Sequence, residues 1–262
     1  PIVSLTGGVP VAINTKQENE FRLTAAELKE KITDKTKLLI LPFPNNPTGA
    51  VMERKDLEEI ADVLRGTDIL VLSDEIYAEL TYGNTHCSIA QIDGMQERTI
   101  LVNGFSKAFS MTGWRLGYVA GPAPLVTQML KIHQYAIMCS PTISQYAAIE
   151  ALENCDEDVI KMRDEYDMRR RWLVKALNDI GLSCFEPKGA FYVFPCIKST
   201  GLSSEVFCER LLYEYNVAVV PGNAFGECGE GYIRSSYAYS LKHLMTAVER
   251  MTEFVNKLKS EK

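Results

Sequence analysis

Hydrophobic positions along the first half of the chain come in short blocks separated by amphipathic stretches. TKLLIL (36–41) is a continuous apolar run stopped by Pro42 and Pro44, the pattern of a buried strand that ends in a rigid loop. DILVLSDE (68–75), TILVNG (99–104) and RLGYVAGP (115–122) are further runs of strand length, rich in Ile, Leu and Val. Between and before them lie two helical patterns. LTAAELKEKI (23–32) opens with Thr24 three residues before Glu27, a capping box, and ERKDLEEIADVLRG (53–66) spaces its apolar residues at helical intervals. Strands alternating with helices predict an α/β fold with a mainly parallel sheet.

The second half has a different pattern. A long helix is predicted from about residue 156 to 181, followed by the short strands FYVFP, VAVVP and YIRSSYA with one helix among them. A terminal helix is predicted from about 240 to 259. This is the signature of a smaller C-terminal α+β domain, so the expected division is residues 1–165 and 166–262.

Composition narrows the function classes. Of 262 residues, 46% are hydrophobic and 24% charged, ordinary for a globular protein, and the net charge of −6 argues against nucleic-acid or anionic-membrane binding. The basic run Arg169-Arg170-Arg171 is embedded in acidic sequence and reads as a solvated helix face. No apolar run has the length of a membrane span, and the first residues lack signal-peptide character. Seven scattered cysteines without C-x-x-C spacing read as reduced thiols of a cytoplasmic protein, and three isolated histidines offer no metal-ligand spacing. His86-Cys87 reads as an accident of a loop.

Polar residues cluster where the strands end. Asn45 and Asn46 follow the first run, Asp74 and Tyr77 the second, and Lys107 the third. Parallel strands bring their carboxyl ends to one edge, where α/β proteins bind ligands. Each residue alone has a plain explanation: PNNPTG as a turn, Asp74 as a helix cap, Tyr77 as a half-buried aromatic, Lys107 as a surface charge. Those explanations do not account for their coincidence at one edge.

A chemical account does. Desolvation and nearby cations turn a lysine amine into a nucleophile toward carbonyls. Pyridoxal phosphate needs such a lysine, an acid for its ring nitrogen, donors to its phenolic oxygen and cations for its phosphate. Lys107, Asp74, Asn46 with Tyr77, and Arg115 match these needs in turn. GECGEG (226–231) precedes a strand rather than opening a helix, so it reads as a loop and not a dinucleotide fingerprint.

GFSKAFSMTGWRLG (104–117) resembles the lysine signature of the class I/II, fold type I aminotransferases at every position. PNNPTG (44–49), SDEIY (73–77), PKGAFYVFP (187–195) and GYIRSSYA (231–238) follow in that family's order and approximate spacing. The resemblance implies an aspartate-aminotransferase-like PLP enzyme that moves an amino group between an amino acid and a 2-keto acid. By the same resemblance Lys107 bonds covalently to the cofactor and moves the substrate Cα proton. Asp74 partners the ring nitrogen, Asn46 and Tyr77 contact O3′, Arg115 binds phosphate, and Arg234 clamps the substrate α-carboxylate. A homodimer is implied for the full-length protein, with no nucleic-acid, membrane or metal partner.

Two departures from the family pattern stand out. Gly104 replaces a serine that donates to the phosphate in many members. PIVSLTGGVPVAINTKQENEFRLT (1–24) resembles the interior of such enzymes, so the chain is expected to be a C-terminal portion. Its large-domain sheet should then be incomplete, with a strand missing between strands that are present, and alone it should bind cofactor weakly and turn over poorly. The alternatives weighed are a PLP-dependent C–S lyase, which shares most cofactor contacts, and a non-catalytic aminotransferase-like ligand-binding module.

Overall fold

A computed structural model describes residues 1–261. Its larger sheet has four strands, β1 (Leu38–Leu41), β2 (Leu70–Asp74), β3 (Thr99–Gly104) and β4 (Gly117–Ala120), in the order β1-β2-β3-β4. The first three are parallel, with Leu38 opposite Leu70 and Val71 opposite Thr99; β4 returns antiparallel, with Gly104 opposite Gly117. All four predicted strands are therefore present. They are consecutive hydrogen-bonded neighbours, so the interruption expected among them is not found.

The parallel strands are covered on one face only at the β1 edge. Leu39 and Leu41 are buried, while Leu38 and Ile40 are exposed, so the run expected to be a buried strand is buried on one face. The covering layer is α2 (Ala25–Lys31) and α3 (Arg54–Leu64), which follow a short N-terminal turn of helix, α1 (Ile2–Leu5). In α3, Leu57, Ile60, Ala61 and Leu64 recur at i, i+3, i+4 and i+7, one helical face, and all are buried. The Thr24–Glu27 capping box forms as predicted: Glu27 N donates to Thr24 Oγ1 at 3.2 Å and Thr24 N to Glu27 Oε2 at 3.0 Å.

Two helices absent from the expectations follow the sheet, α4 (Ala123–Ala136) and α5 (Thr142–Asn154). α4 buries none of its residues, and Tyr135 is 93% exposed, while the buried face of α5 is made of the small side chains Ser144, Ala148 and Ala151. Neither helix therefore buries a stripe of large apolar residues from which a helical period could be read.

The long predicted helix is α6 (Asp156–Asp179), which runs unbroken through residue 165. After it come β5 (Tyr192–Val193), α7 (Ser204–Tyr215), β6 (Val220–Pro221), β7 (Ile233–Ser236) and α8 (Leu241–Ser260). The three short strands form an antiparallel sheet ordered β5-β7-β6. Leu173, Leu177, Phe207, Leu211, Met251 and Phe254, from α6, α7 and α8, pack into one core with this sheet. A second core joins α2, α3, β1 and β2. The cores interlock, because Tyr82 belongs to the C-terminal one and Phe194 to the N-terminal one.

Arg170 does not lie on a solvated face. It is buried, paired with Asp167 and Glu186, and donates to the Pro187 carbonyl at 2.9 Å, tying α6 to the loop before β5. Only its neighbours behave as expected: Arg169 pairs with Glu165 and Arg171 with Asp167 on the helix surface.

Candidate active site

The carboxyl ends of β2 and β3, the PNNPTG turn, and strands β5 and β7 meet at one place. The turn is locked there by close backbone packing. Gly49 has φ +72°, and a Cβ on it would lie 2.4 Å from Pro187 Cβ and 2.8 Å from the Gly189 carbonyl. Lys188 N and Gly189 N both donate to the Gly49 carbonyl, at 3.1 and 2.9 Å. Only glycine satisfies that conformation and that approach together.

Four of the six predicted residues are linked by contacts here. Tyr77, buried just beyond β2, places its hydroxyl 3.3 Å from that of Tyr192 on β5. Lys107, half-buried in the turn after β3, holds its Nζ 5.7 Å from the Tyr77 ring centre and 5.9 Å from that of Phe191. Arg234 on β7 donates from Nη1 to Asn46 Oδ1 at 2.7 Å. Its guanidinium lies over the Tyr192 and Phe225 rings, 4.3 and 4.8 Å from their centres. Burial, and next the Tyr192 hydroxyl, push the Tyr77 phenol well above its ordinary value, so Tyr77 is a proton donor at neutral pH.

Asp74 closes β2 and its Oδ1 accepts from Ile76 N at 3.2 Å, so it caps a turn and not a helix. It is half-buried, and its charge is felt at the Tyr77 hydroxyl. Arg115 stands apart. It is exposed, has φ +52°, and donates to the Thr112 carbonyl at 2.7 Å; no contact joins it to the Lys107 cluster. Among the described residues, Lys107, Arg115 and Arg234 have no carboxylate within ion-pair distance.

Gly104 has a local reason. A Cβ there would meet Gly117 Cα at 2.8 Å and the Leu116 carbonyl at 3.0 Å, so the β3–β4 pairing itself demands a residue without a side chain. The small residue is explained by strand contact rather than by room for a ligand.

Three features lie outside the sequence reading. Tyr192, Phe191 and Phe225 form the aromatic walls of the site. The signal for Tyr192 was its strand: it pairs with Ser236, which puts Arg234 diagonally across on the same face. Glu75, next to Asp74, is buried and accepts from Ser73 Oγ (2.8 Å), Ser88 Oγ (2.6 Å) and His86 Nε2 (2.8 Å). His86 is thus a partner of a buried carboxylate, not an accident of its loop. Burial opposes the charge on Glu75, but the hydrogen bonds from His86 and Ser88, the His86 charge and Ser73 outweigh it and hold the carboxyl below its ordinary value.

The donor set fits pyridoxal phosphate at its ring and substrate ends. An amine, a carboxylate, a phenol donor and a guanidinium gather within a few side chains of Tyr77, while at the phosphate end Arg115 alone is offered, on the surface. Among the described residues no group of three or more His, Cys, Asp or Glu is arranged to hold a metal, and no helix is long and apolar enough to cross a membrane.

The chain is similar to known aminotransferases. The chain is 52% identical to an aspartate aminotransferase of Pyrococcus abyssi over 262 residues, 99% of this chain and 67% of the relative. It is 51% identical to aromatic-amino-acid aminotransferase 2 of Thermococcus litoralis, over 99% of this chain and 67% of that one. The chain spans about two thirds of the length of the curated relatives it matches. Among solved structures, an aromatic aminotransferase from Pyrococcus horikoshii superposes with a TM-score of 0.95 at 52% identity, covering 98% of this chain and 70% of that one. The aspartate aminotransferase of Thermus thermophilus with maleate gives 0.91 at 38% identity, covering 96% and 65%. With the family model for aminotransferase class I and II matching residues 1–251, the chain belongs to that family.

Proposed function

We propose that this chain carries the cofactor-bonding lysine and the carboxylate-binding arginine of a PLP-dependent aminotransferase. The enzyme moves an amino group between an amino acid and a 2-keto acid. One observation carries the reading. Arg234 is held by two aromatic faces and the Asn46 amide, without a carboxylate partner, beside the cluster that contains Lys107 and Tyr77. A planar guanidinium held this way offers two parallel hydrogen bonds to an α-carboxylate and orients it.

PLP bound here supplies an electron sink for charge developing at the substrate Cα. The chain's own residues do the rest. Lys107 would hold the cofactor covalently, and its amine would carry the substrate Cα proton. Asp74 keeps the ring nitrogen protonated, Tyr77 and Asn46 face the phenolic oxygen, and Arg115 meets the phosphate. The rings of Tyr77 and Phe191 shield one side of Lys107. In this reading residues 1–165 form the cofactor-bearing part and 166–262 the smaller domain.

Relatives named for aspartate and for aromatic amino acids support an acidic or aromatic substrate. The exposed apolar side chains of α4 and α5 support a homodimer in the full-length protein. Seven unpaired thiols support a cytoplasmic setting. The decisive test is borohydride reduction of the PLP-loaded protein followed by peptide mapping. Label on Lys107 is expected, and label on any other lysine overturns the assignment. Incubation with aspartate or phenylalanine and 2-oxoglutarate should exchange amino groups; release of thiol, pyruvate and ammonia from a thioether amino acid such as cystathionine instead identifies a C–S lyase.

A further inference from the structure

Tyr192 sits where both halves of the chain converge, and its backbone is closely packed. It is 8% exposed. Its own carbonyl packs against Gly49, where a Cβ would come within 3.1 Å. The preceding carbonyl, of Phe191, accepts from Tyr237 N at 3.0 Å and from Ser236 Oγ at 3.3 Å. The backbone at this point is gripped by the PNNPTG turn on one side and by β7 on the other.

The side chain then touches two residues given roles in the proposed reaction. Its ring meets that of Tyr77 edge-on, with centres 6.1 Å apart, and the two hydroxyls are 3.3 Å apart. The same ring carries the Arg234 guanidinium at 4.3 Å. Each hydroxyl is the only hydrogen-bond partner of the other among the described residues. A phenol has one proton to give. If Tyr192 donates to Tyr77, the Tyr77 proton is left to point into the site; without that bond its direction is not set. The guanidinium, likewise, can rotate freely about its stem unless a flat surface fixes its plane.

We propose that Tyr192 is a positioning residue: its hydroxyl aims the Tyr77 proton at the cofactor's phenolic oxygen, and its ring face fixes the plane in which Arg234 receives the α-carboxylate. This rests on the PLP reading given above. Tyr192 is assigned to act through Tyr77 and Arg234 alone.

The two arms separate by substitution. In PLP-loaded protein, Tyr192→Phe keeps the ring and removes the hydroxyl. The pH titration of the cofactor's absorbance should move upward by about half a pH unit, because a weaker donor at Tyr77 stabilises the phenolate less. Dissociation constants for maleate and 3-phenylpropionate, carboxylates without an amino group, should stay within about twofold of the parent. Tyr192→Leu removes the ring as well. Both carboxylates should then bind roughly 3- to 10-fold more weakly, with KM raised more than kcat is lowered.

A Phe variant that titrates like the parent overturns the hydroxyl arm. A Leu variant that binds both carboxylates like the parent overturns the ring arm. Should the Leu variant fail to fold, Tyr192→Met, which keeps bulk without a ring face, reads the ring arm in its place, and the Phe titration decides the hydroxyl arm. Failure of the PLP reading looks different, since the unaltered protein would then not trap the cofactor on Lys107.

Discussion

Two polar clusters lie side by side at the end of β2, and they are built on opposite plans. Around Glu75, both carboxylate oxygens are used: Oε1 takes the Ser73 and Ser88 hydroxyls and Oε2 takes His86. Its backbone N–H is fixed to the Val102 carbonyl on β3. Around Tyr77, by contrast, Lys107 and Arg234 face aromatic rings and an amide, and neither has a carboxylate. A charge that is buried and saturated holds structure together. Cations lined up beside an aromatic wall with hydrogen-bonding capacity left over are arranged for something else to bind.

That contrast can be broken by substitution, because the first cluster should answer in stability and the second in chemistry. The largest effect is expected at Lys107→Ala, which should abolish borohydride trapping and lower turnover by about 10²–10⁴-fold while the unfolding midpoint stays near the parent's. Loss of stability without loss of trapping would reverse the assignment of the two clusters. Next is Glu75→Ala, which leaves two buried hydroxyls, Ser73 and Ser88, and the half-buried His86 without their acceptor. Denaturant unfolding should show a loss of about 3 kcal/mol, and the absorbance of bound cofactor should be unchanged in whatever fraction remains folded.

Arg234→Lys keeps the charge and loses the fork. KM for the amino acid should rise roughly 10-fold, with no change in unfolding; a KM equal to the parent's would remove Arg234 from substrate binding. Acidification sharpens the comparison from the other side. Because the Glu75 carboxyl is held below its ordinary value of 4.5, its contribution is fully present above that pH and is lost as pH falls through the lower folded value. Glu75→Gln should flatten this part of the acid limb of a stability–pH curve; an unaltered limb would show that other carboxylates govern it. Smallest is Ser88→Ala, expected to cost about 1 kcal/mol by thermal unfolding and to leave KM untouched.

How much of this was legible depended on whether a signal was local. The four strands of the large sheet, the Thr24 capping box, α3, α6 and α8 were readable because apolar runs, caps and one-sided helical spacing are short-range features. The same logic failed for α4, which buries none of its residues, and for α5, whose buried face is the small residues Ser144, Ala148 and Ala151. It failed again at Arg170, read as solvated from its acidic neighbours in sequence. The acceptors that bury it include Glu186 and the Pro187 carbonyl, 16 and 17 residues further on.

The site divides in the same way. Lys107, Asp74, Tyr77 and Asn46 were visible as polar residues at strand ends, since parallel strands deliver their carboxyl ends to one edge whatever the loops do. The lysine segment and its companion motifs also carried the family resemblance without any coordinates. The walls of the site were not visible. Tyr192 becomes a neighbour of Arg234 through the register of β5 on β7, and a neighbour of Tyr77 through the packing of the C-terminal unit on the PNNPTG turn. Those contacts span 42 and 115 positions of chain. The sequence by itself determined which candidate side chains stand at the strand ends. Only the tertiary structure decided which of two adjacent carboxylates, Asp74 or Glu75, would be saturated and which left open. The physical reason is that burial and partners belong to a place in space, and neighbours on a strand point to opposite faces.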